Sequence, residues 1–157
     1  KKREIKFQNI KQIKSYFKDI CHKSINAFLN GDNGGTLIIG VNDDQEVIGI
    51  EREFDDKISN VDQYGLLIKD GLSNGLQISG WEDYIKIKFH HYKGKTICEL
   101  QCRSMQKRRP VQLRWTVFEG NYKSPKIKNS IFKRIASSTK ELSLDQALDF
   151  QKKVFGE

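Results

Sequence analysis

Two acidic residues, Asp43 and Asp44, directly follow the apolar stretch TLIIGV within the segment FLNGDNGGTLIIGVNDDQEVIGIE. Carboxylates are the ligands that hard divalent cations such as Mg²⁺ or Mn²⁺ prefer, but a metal site needs a further carboxylate that the fold brings close. Asp and Asn are also favoured in surface turns. The residues alone leave both interpretations open, a metal ligand and a solvated turn.

The glycines of the same segment do not form a phosphate-binding loop. A P-loop requires the pattern GxxxxGK followed by Ser or Thr, whereas Gly35 is followed by Thr36 and Leu37. A dinucleotide-binding fingerprint requires a strand before the glycines and a helix after them, and the order here is the reverse. We therefore interpret the glycines as turns on either side of a strand.

Sulfur and imidazole ligands for zinc are present at His90, His91, Cys98 and Cys102. Cys98 and Cys102 fall on one predicted strand, on the same face as Leu100, which favours buried core cysteines over metal ligands. Whether these four residues bind zinc stays open from the sequence. The pattern GxSxG occurs once, as GLSNG at residues 71–75, but it lies within the predicted second helix and not at the strand-to-helix turn of a nucleophile elbow, so it does not support a serine hydrolase.

Hydrophobic periodicity predicts the elements that must position these residues. It predicts an amphipathic helix over residues 9–30, a strand at TLIIGV buried on both faces, and a hairpin formed with EVIGIE. A second helix is predicted over residues 54–76 and two strands over 83–92 and 96–102.

The C-terminal third is predicted to contain strands VQLRWTVF and IFKRI, separated by a polar loop, and a last helix from Ser143 as N-cap. This order predicts an α+β domain with a mixed, largely antiparallel sheet flanked by helices.

Composition sets the broad class. The 157 residues fit a single domain, 1–157, and the start KKREIK without Met leads us to expect a fragment of a longer chain. The net charge of +8 favours anionic partners. No apolar run reaches the roughly 20 residues of a membrane span. Three cysteines without a disulfide pattern predict an intracellular, cytoplasmic location.

The segment INAFLNGDNGGTLIIGVNDDQEVIGIE closely resembles the signature of the AlbA-like domain of the Schlafen family. There, a helix ending in an AFANT-type stretch leads through a Gly-Gly turn to a strand, a GV-D-D turn and a VVG strand. EIK at Glu4 is similar to the family's E-F-K start, RRPVQ to its Pro-Val step, and IFKRIASSTKELSLDQ to its closing Y-x-R-x-G-S-S-T segment. Ile5 replaces the family's Phe, and Ala136 replaces its Gly.

Several eukaryotic Schlafen proteins are metal-dependent endoribonucleases that cut transfer RNA or small-RNA precursors, so the resemblance implies this activity. It also implies Mg²⁺ or Mn²⁺ held by three carboxylates. Glu4 and Asp43 match two of these catalytic, metal-binding positions, and the third would lie before Lys1. We expect the adjacent Asp44 to be mainly a turn residue.

The resemblance further implies partners. Basic residues would hold the RNA backbone, and the candidates are Lys6, Arg108, Arg109, Lys133 and Arg134. Vertebrate Schlafen proteins carry two such domains around RNA, so we expect this domain to pair with itself or with a related Schlafen-like subunit.

Two other functions fit the same sequence. The domain could be a non-catalytic RNA-binding or scaffolding subunit of a nuclease complex; an acidic residue a few positions upstream of Glu4 would favour the enzyme instead. It could also be a DNA-binding regulator, a description often given to bacterial members of the family.

Overall fold

The computed structural model describes residues 10–105, 110–118 and 125–155 of the chain. Its elements, in chain order, are α1 (Ile10–Leu29), β1 (Gly35–Ile39), α2 (Val61–Gly75), β2 (Ile85–Tyr92), β3 (Lys95–Cys102), β4 (Leu113–Phe118), β5 (Pro125–Ser130), β6 (Phe132–Ile135), β7 (Ser138–Glu141) and α3 (Leu144–Phe155). Short 3₁₀ helices lie at Ile50–Glu53 and Trp81–Asp83. Each of the four strand pairs is antiparallel, which confirms the predicted α+β class.

A three-stranded sheet has the order β1-β3-β2. The central strand β3 alternates, with Thr96, Cys98, Leu100 and Cys102 buried, as the period of two along a strand requires. Leu100 lies opposite Leu37 of β1 and Ile87 of β2. The predicted strands β2 and β3, and the placement of the two cysteines beside Leu100, are therefore confirmed.

The prediction that β1 is buried on both faces is wrong. Ile38 is 45% exposed, and Thr36 beside it is also exposed. On the same outer face β2, the strand at the opposite edge of the sheet, contributes exposed Lys86 and Lys88. β1 is an edge strand of a sheet with one buried face, so its apolar run did not signal burial on both sides.

The predicted hairpin with EVIGIE is also wrong. β1 pairs with β3, and only one bridge, Val41 with Val47, joins the two predicted arms. Positive φ angles of 97° at Gly40 and 81° at Gly49 bend the backbone away from a ladder. The amides of Ile48 and Gly49 both donate to the carbonyl oxygen of Gly40, and the chain then enters the first 3₁₀ helix.

The second helix begins at Val61, seven residues later than predicted. Asn60 caps it by accepting from the Gln63 amide at 2.9 Å, and the Gln63 side chain accepts in return from the Ser59 amide at 2.7 Å. Such caps fix a helix start. Before them, the Asp55 side chain accepts from two amides in a local turn.

The last helix is capped as predicted. The Ser143 hydroxyl accepts from the Gln146 amide at 3.2 Å, and the Gln146 side chain accepts from the Ser143 amide at 3.0 Å. The predicted polar loop before IFKRI is partly wrong, because it contains β5, which pairs with β4 along its length. Strand β7 was not predicted and pairs with β6.

Helix α1 is central to the core. It contacts β1 and β3 on the side of the three-stranded sheet and β4, β6 and β7 on the other. Fully buried apolar residues of this core include Ile25, Leu29, Ile50, Leu72, Leu100 and Leu113. In the part of the chain that the structure describes, no helix is both long enough and apolar enough to cross a membrane.

Candidate nucleic-acid interface and metal-binding turn

Asp43 lies at an exposed turn that follows β1. The Gln45 amide donates to the Asn42 carbonyl at 3.1 Å, which makes Asp43 and Asp44 the two central residues of a β-turn, and Gln45 has a φ of 64°. The Asn42 side chain accepts from the Glu46 amide at 2.8 Å. Asp43 and Asp44 are both exposed.

The base of this turn is fixed to the end of the β2–β3 hairpin. Lys95 donates from Nζ to the carbonyl oxygen of Val47 at 2.9 Å. Nearby, the hydroxyl of buried Thr96 lies 3.2 Å from His91 Nδ1. Burial opposes ionisation of Glu51, but hydrogen bonds from Thr96 outweigh it and hold the Glu51 pKa below its usual value. The turn that carries Asp43 is therefore attached to the sheet by polar contacts.

Asp43 fits one ligand of a Mg²⁺ or Mn²⁺ site, since its exposed carboxylate supplies the oxygen donors that these ions take. Among the described residues, no group of three His, Cys, Asp or Glu side chains could hold a metal ion. Glu4, the other predicted ligand, lies outside the described residues, as do the predicted RNA contacts Lys6, Arg108 and Arg109. The metal site stays a prediction.

The two remaining predicted RNA contacts are adjacent in β6. Lys133 Nζ lies 3.8 Å from Asp32 Oδ1 and 4.4 Å from the centre of the Phe150 ring. The Arg134 guanidinium lies 5.7 Å from the centre of the Phe28 ring. Both side chains are partly buried, so their stems pack against the protein.

Charge is segregated along the chain. Strands β4 to β7 carry six basic residues and one acidic residue, Glu141. Lys133 of β6 lies directly opposite Lys140 of β7, and Asp32, whose Oδ1 is 3.8 Å from Lys133 Nζ, offsets part of the repulsion between the two lysines. Residues 42–83, which include the Asp43 turn and α2, carry eleven acidic and three basic residues. The basic strands, and not the acidic segment, can attract phosphate.

A polar network beneath the basic strands was not predicted. Trp115 donates from Nε1 to the Ser130 hydroxyl at 3.0 Å, and Ser130 donates to Glu141 Oε1 at 2.6 Å. Lys128 Nζ lies 2.5 Å from the same oxygen. Lys23 of α1 lies 3.4 Å from the centre of the Trp115 ring, and burial lowers the Lys23 pKa. This network joins β4, β5 and β7 to α1.

Two buried asparagines at the end of α1 were also missed. Asn30 donates from Nδ2 to the carbonyl oxygens of Val111 at 2.9 Å and Phe132 at 3.0 Å, and its Oδ1 accepts from the Val111 amide at 2.8 Å. Asn26 donates to the Val111 carbonyl and accepts from the Phe132 amide, each at 2.9 Å. The sequence does contain a signal for this pair, because two asparagines four residues apart lie on the apolar face of the predicted helix.

The glycines after α1 have a steric role. Gly34 has a φ of 69°, and a Cβ there would collide with the carbonyl oxygen of Cys102. A Cβ at Gly35 would collide with the ring of Phe28. The Gly-Gly turn therefore allows β1 to leave α1 and pair with β3, as the sequence interpretation of these glycines as turns predicted.

The structure argues against a shared zinc site. His90 lies on the outer face of β2 and its Nε2 is 2.5 Å from Glu99 Oε2, whereas Cys98 and Cys102 are buried on the inner face. Four residues along a strand span about 13 Å, too far for both sulfurs to reach one ion. Burial raises the pKa of both thiols to about 12. These are core cysteines.

The fold and this site define an α+β domain with basic strands and a carboxylate turn. The family model for "Schlafen, AlbA_2" matches residues 1–143, and the chain belongs to this family. The match ends one residue before α3.

A solved structure, the DIP2311 protein from Corynebacterium diphtheriae, is similar in fold, with a TM-score of 0.52 at 14% sequence identity. The similarity covers 98% of this chain and 22% of that protein, so this chain spans about a fifth of its length. No curated protein matches the chain significantly.

Proposed function

We propose that this domain binds RNA through strands β4 to β7 and acts in RNA processing, as a metal-dependent endoribonuclease on transfer RNA or small-RNA precursors. The observation that carries the proposal is the excess of positive charge on these strands, which hold six basic residues and one acidic residue, Glu141. Two of the basic residues, Lys133 and Lys140, lie opposite each other. Asp32 already lies 3.8 Å from Lys133, and a bound phosphate would add a negative charge beside Lys140. Membership of the Schlafen AlbA_2 family supports the same function.

The proposed catalytic residues are Asp43 and Glu4. When bound, Mg²⁺ or Mn²⁺ would activate water and stabilise charge on the scissile phosphate. Asp43 would hold the ion at a turn that Lys95 fixes to the sheet through the Val47 carbonyl. The turn begins the acidic segment 42–83, so RNA would be attracted by the basic strands and not by the residues next to the turn.

We also propose that the domain works beside a second copy or a related Schlafen-like subunit. Its RNA surface would then form half of a longer basic groove. A strict monomer in light scattering that processes RNA at full rate would contradict this part of the proposal.

RNA binding is tested with the double variant Lys133→Gln, Lys140→Gln. Because each phosphate contact releases counterions, we expect weaker binding and a salt dependence reduced by roughly one to two units in log–log slope. The matched control is Lys69→Gln, an exposed lysine of α2 in the acidic segment, which should leave both values unchanged. An unchanged slope in the double variant would contradict binding at β6 and β7. Duplex DNA serves as the competing ligand, and a preference for DNA over RNA would favour the alternative function of a DNA-binding regulator.

Metal-dependent cleavage is tested with Asp43→Asn and the neighbouring control Asp44→Asn. Asn is also favoured in turns, so both variants should fold. With Mn²⁺ and a chain extended upstream, Asp43→Asn should lose cleavage by orders of magnitude while RNA binding persists, and Asp44→Asn should be milder. Wild-type protein that binds RNA but never cleaves it would favour the scaffolding subunit.

A further inference from the structure

A shallow polar cavity of about 190 Å³, widely open to solvent, lies between α1, the end of α2 and strands β4 and β5. Two of its residues are more than nine-tenths buried, Asp19 at 8% exposure and His22 at 6%. Its lining includes Asp19, His22, Asn74, Arg114, Trp115 and Thr116. This cavity is separate from the Asp43 turn and has no part in the proposed metal chemistry.

Glycine keeps one side of the cavity open. Gly71 and Gly75 of α2 both line it, where other residues would favour the helix more. A Cβ at Gly75 would lie 3.4 Å from His22 Nδ1 and 3.3 Å from Leu113 Cδ1. The α2 backbone therefore lies close to the buried imidazole, and a Cβ at Gly75 would require a small shift of the Leu113 side chain.

The lining selects a class of ligand. A simple anion would meet the buried Asp19, and a simple cation would meet Arg114. A flat, neutral ring with hydrogen-bond donors on one edge and acceptors on another satisfies both, and it can contact the indole of Trp115. Pockets for drug-sized ligands hold about 300–1,000 Å³, so this smaller cavity suits one ring system and not a whole nucleotide.

We propose that the cavity receives one unstacked guanine of the RNA bound on strands β4 to β7, a step that rests on the proposed RNA binding. Guanine offers the donors N1–H and N2–H₂ to a carboxylate such as Asp19, and the acceptors O6 and N7 to an arginine such as Arg114. Protein recognition of RNA sequence commonly uses splayed bases of this kind. Ile127, an exposed residue of β5, also lies in the cavity lining, which places the cavity beside the strands proposed to hold the RNA backbone.

The test compares short single-stranded RNAs that differ at one central position: guanosine, inosine, adenosine or an abasic residue. Wild-type protein should bind the guanosine RNA about tenfold more tightly than the abasic RNA, as one well-placed base contact allows. Inosine lacks the N2 amino group, so the affinity for the inosine RNA should lie between those for the guanosine RNA and the abasic RNA. Adenosine should resemble the abasic residue.

Variants assign the preference to the cavity. Arg114→Gln, at an exposed position, should reduce the guanosine-to-abasic ratio to near one, and Asp19→Asn should remove the difference between guanosine and inosine. The control Lys126→Gln, also at an exposed position, should lower the affinity for all four RNAs by the same factor. Because the readout is a ratio, a general loss of phosphate binding does not change it. Arg114→Gln covers the case in which Asp19→Asn fails to fold.

The outcomes separate the two proposals. Absence of binding to every RNA would overturn the proposed function and this inference together. Tight binding that does not depend on the central base, or a guanosine preference that survives Arg114→Gln, would overturn the guanine cavity alone.

Discussion

Replacing Asn30 with alanine should test whether the buried amides at the end of α1 hold this helix to Val111, just before β4, and to Phe132 of β6. The change leaves the Val111 amide and the Phe132 carbonyl without the partner that Asn30 supplies. The Val111 carbonyl keeps its bond to Asn26. An unsatisfied buried polar group costs about 1–3 kcal/mol, so the two groups together predict a loss of about 2–6 kcal/mol. Total stabilities are commonly about 5–15 kcal/mol, so the loss would be large.

The measurement is urea unfolding followed by the fluorescence of Trp81 and Trp115. The control is Asn129→Ala at an exposed position of β5, which should change the free energy of unfolding by less than about 0.5 kcal/mol. A change below about 1 kcal/mol for Asn30→Ala would refute the reasoning, because it would mean that these groups find water or other partners when the amide is removed.

Three further predictions follow from single residues. Ala136 has a φ of 53°, so Ala136→Gly should relieve left-handed strain and raise the free energy of unfolding by up to about 1 kcal/mol. Burial opposes ionisation of Glu141, but bonds from Lys128 and Ser130 outweigh it and lower its pKa. Its contribution to the free energy of unfolding is therefore present above the unfolded-state pKa of about 4.3 and lost as the pH falls through the folded-state pKa. The free energy of unfolding should fall less between pH 7 and pH 3 in Glu141→Gln than in the wild type, by a difference of less than about 1 kcal/mol. Cys98, with its raised pKa and full burial, should react with a thiol reagent only at the rate of unfolding.

Local patterns predicted the elements that have a clear apolar face. Helices α1 and α3 and strands β2 and β3 were found because their periodicity is set by neighbours in the sequence. Strands β5 and β7 were missed because KIKNS and STKE present little apolar surface, and only pairing with a partner strand makes them extended. The false hairpin arose because the backbone angles of Gly40 and Gly49 leave no trace in hydrophobicity.

The site was predictable only in part, for a similar reason. The Asp43 turn could be found because turn residues act locally. Lys133 and Arg134 could be identified as basic, but what they touch depends on residues far away in the chain, such as Asp32 and Phe28. The guanine cavity draws its lining from four elements, and no single stretch of sequence contains it.

The asparagine bonds of α1 also set an order of events during synthesis. The bonds from Asn26 and Asn30 to Val111 and Phe132 join residues that are 81 to 106 positions apart. At about 5–20 residues per second, a ribosome needs roughly 5–20 s to make that intervening chain. For this interval the end of α1 has no strand carbonyls to bind, and closing so long a loop is slow. A nascent chain arrested before Phe132 would therefore hold an exposed apolar helix face, which is the kind of surface that chaperones bind.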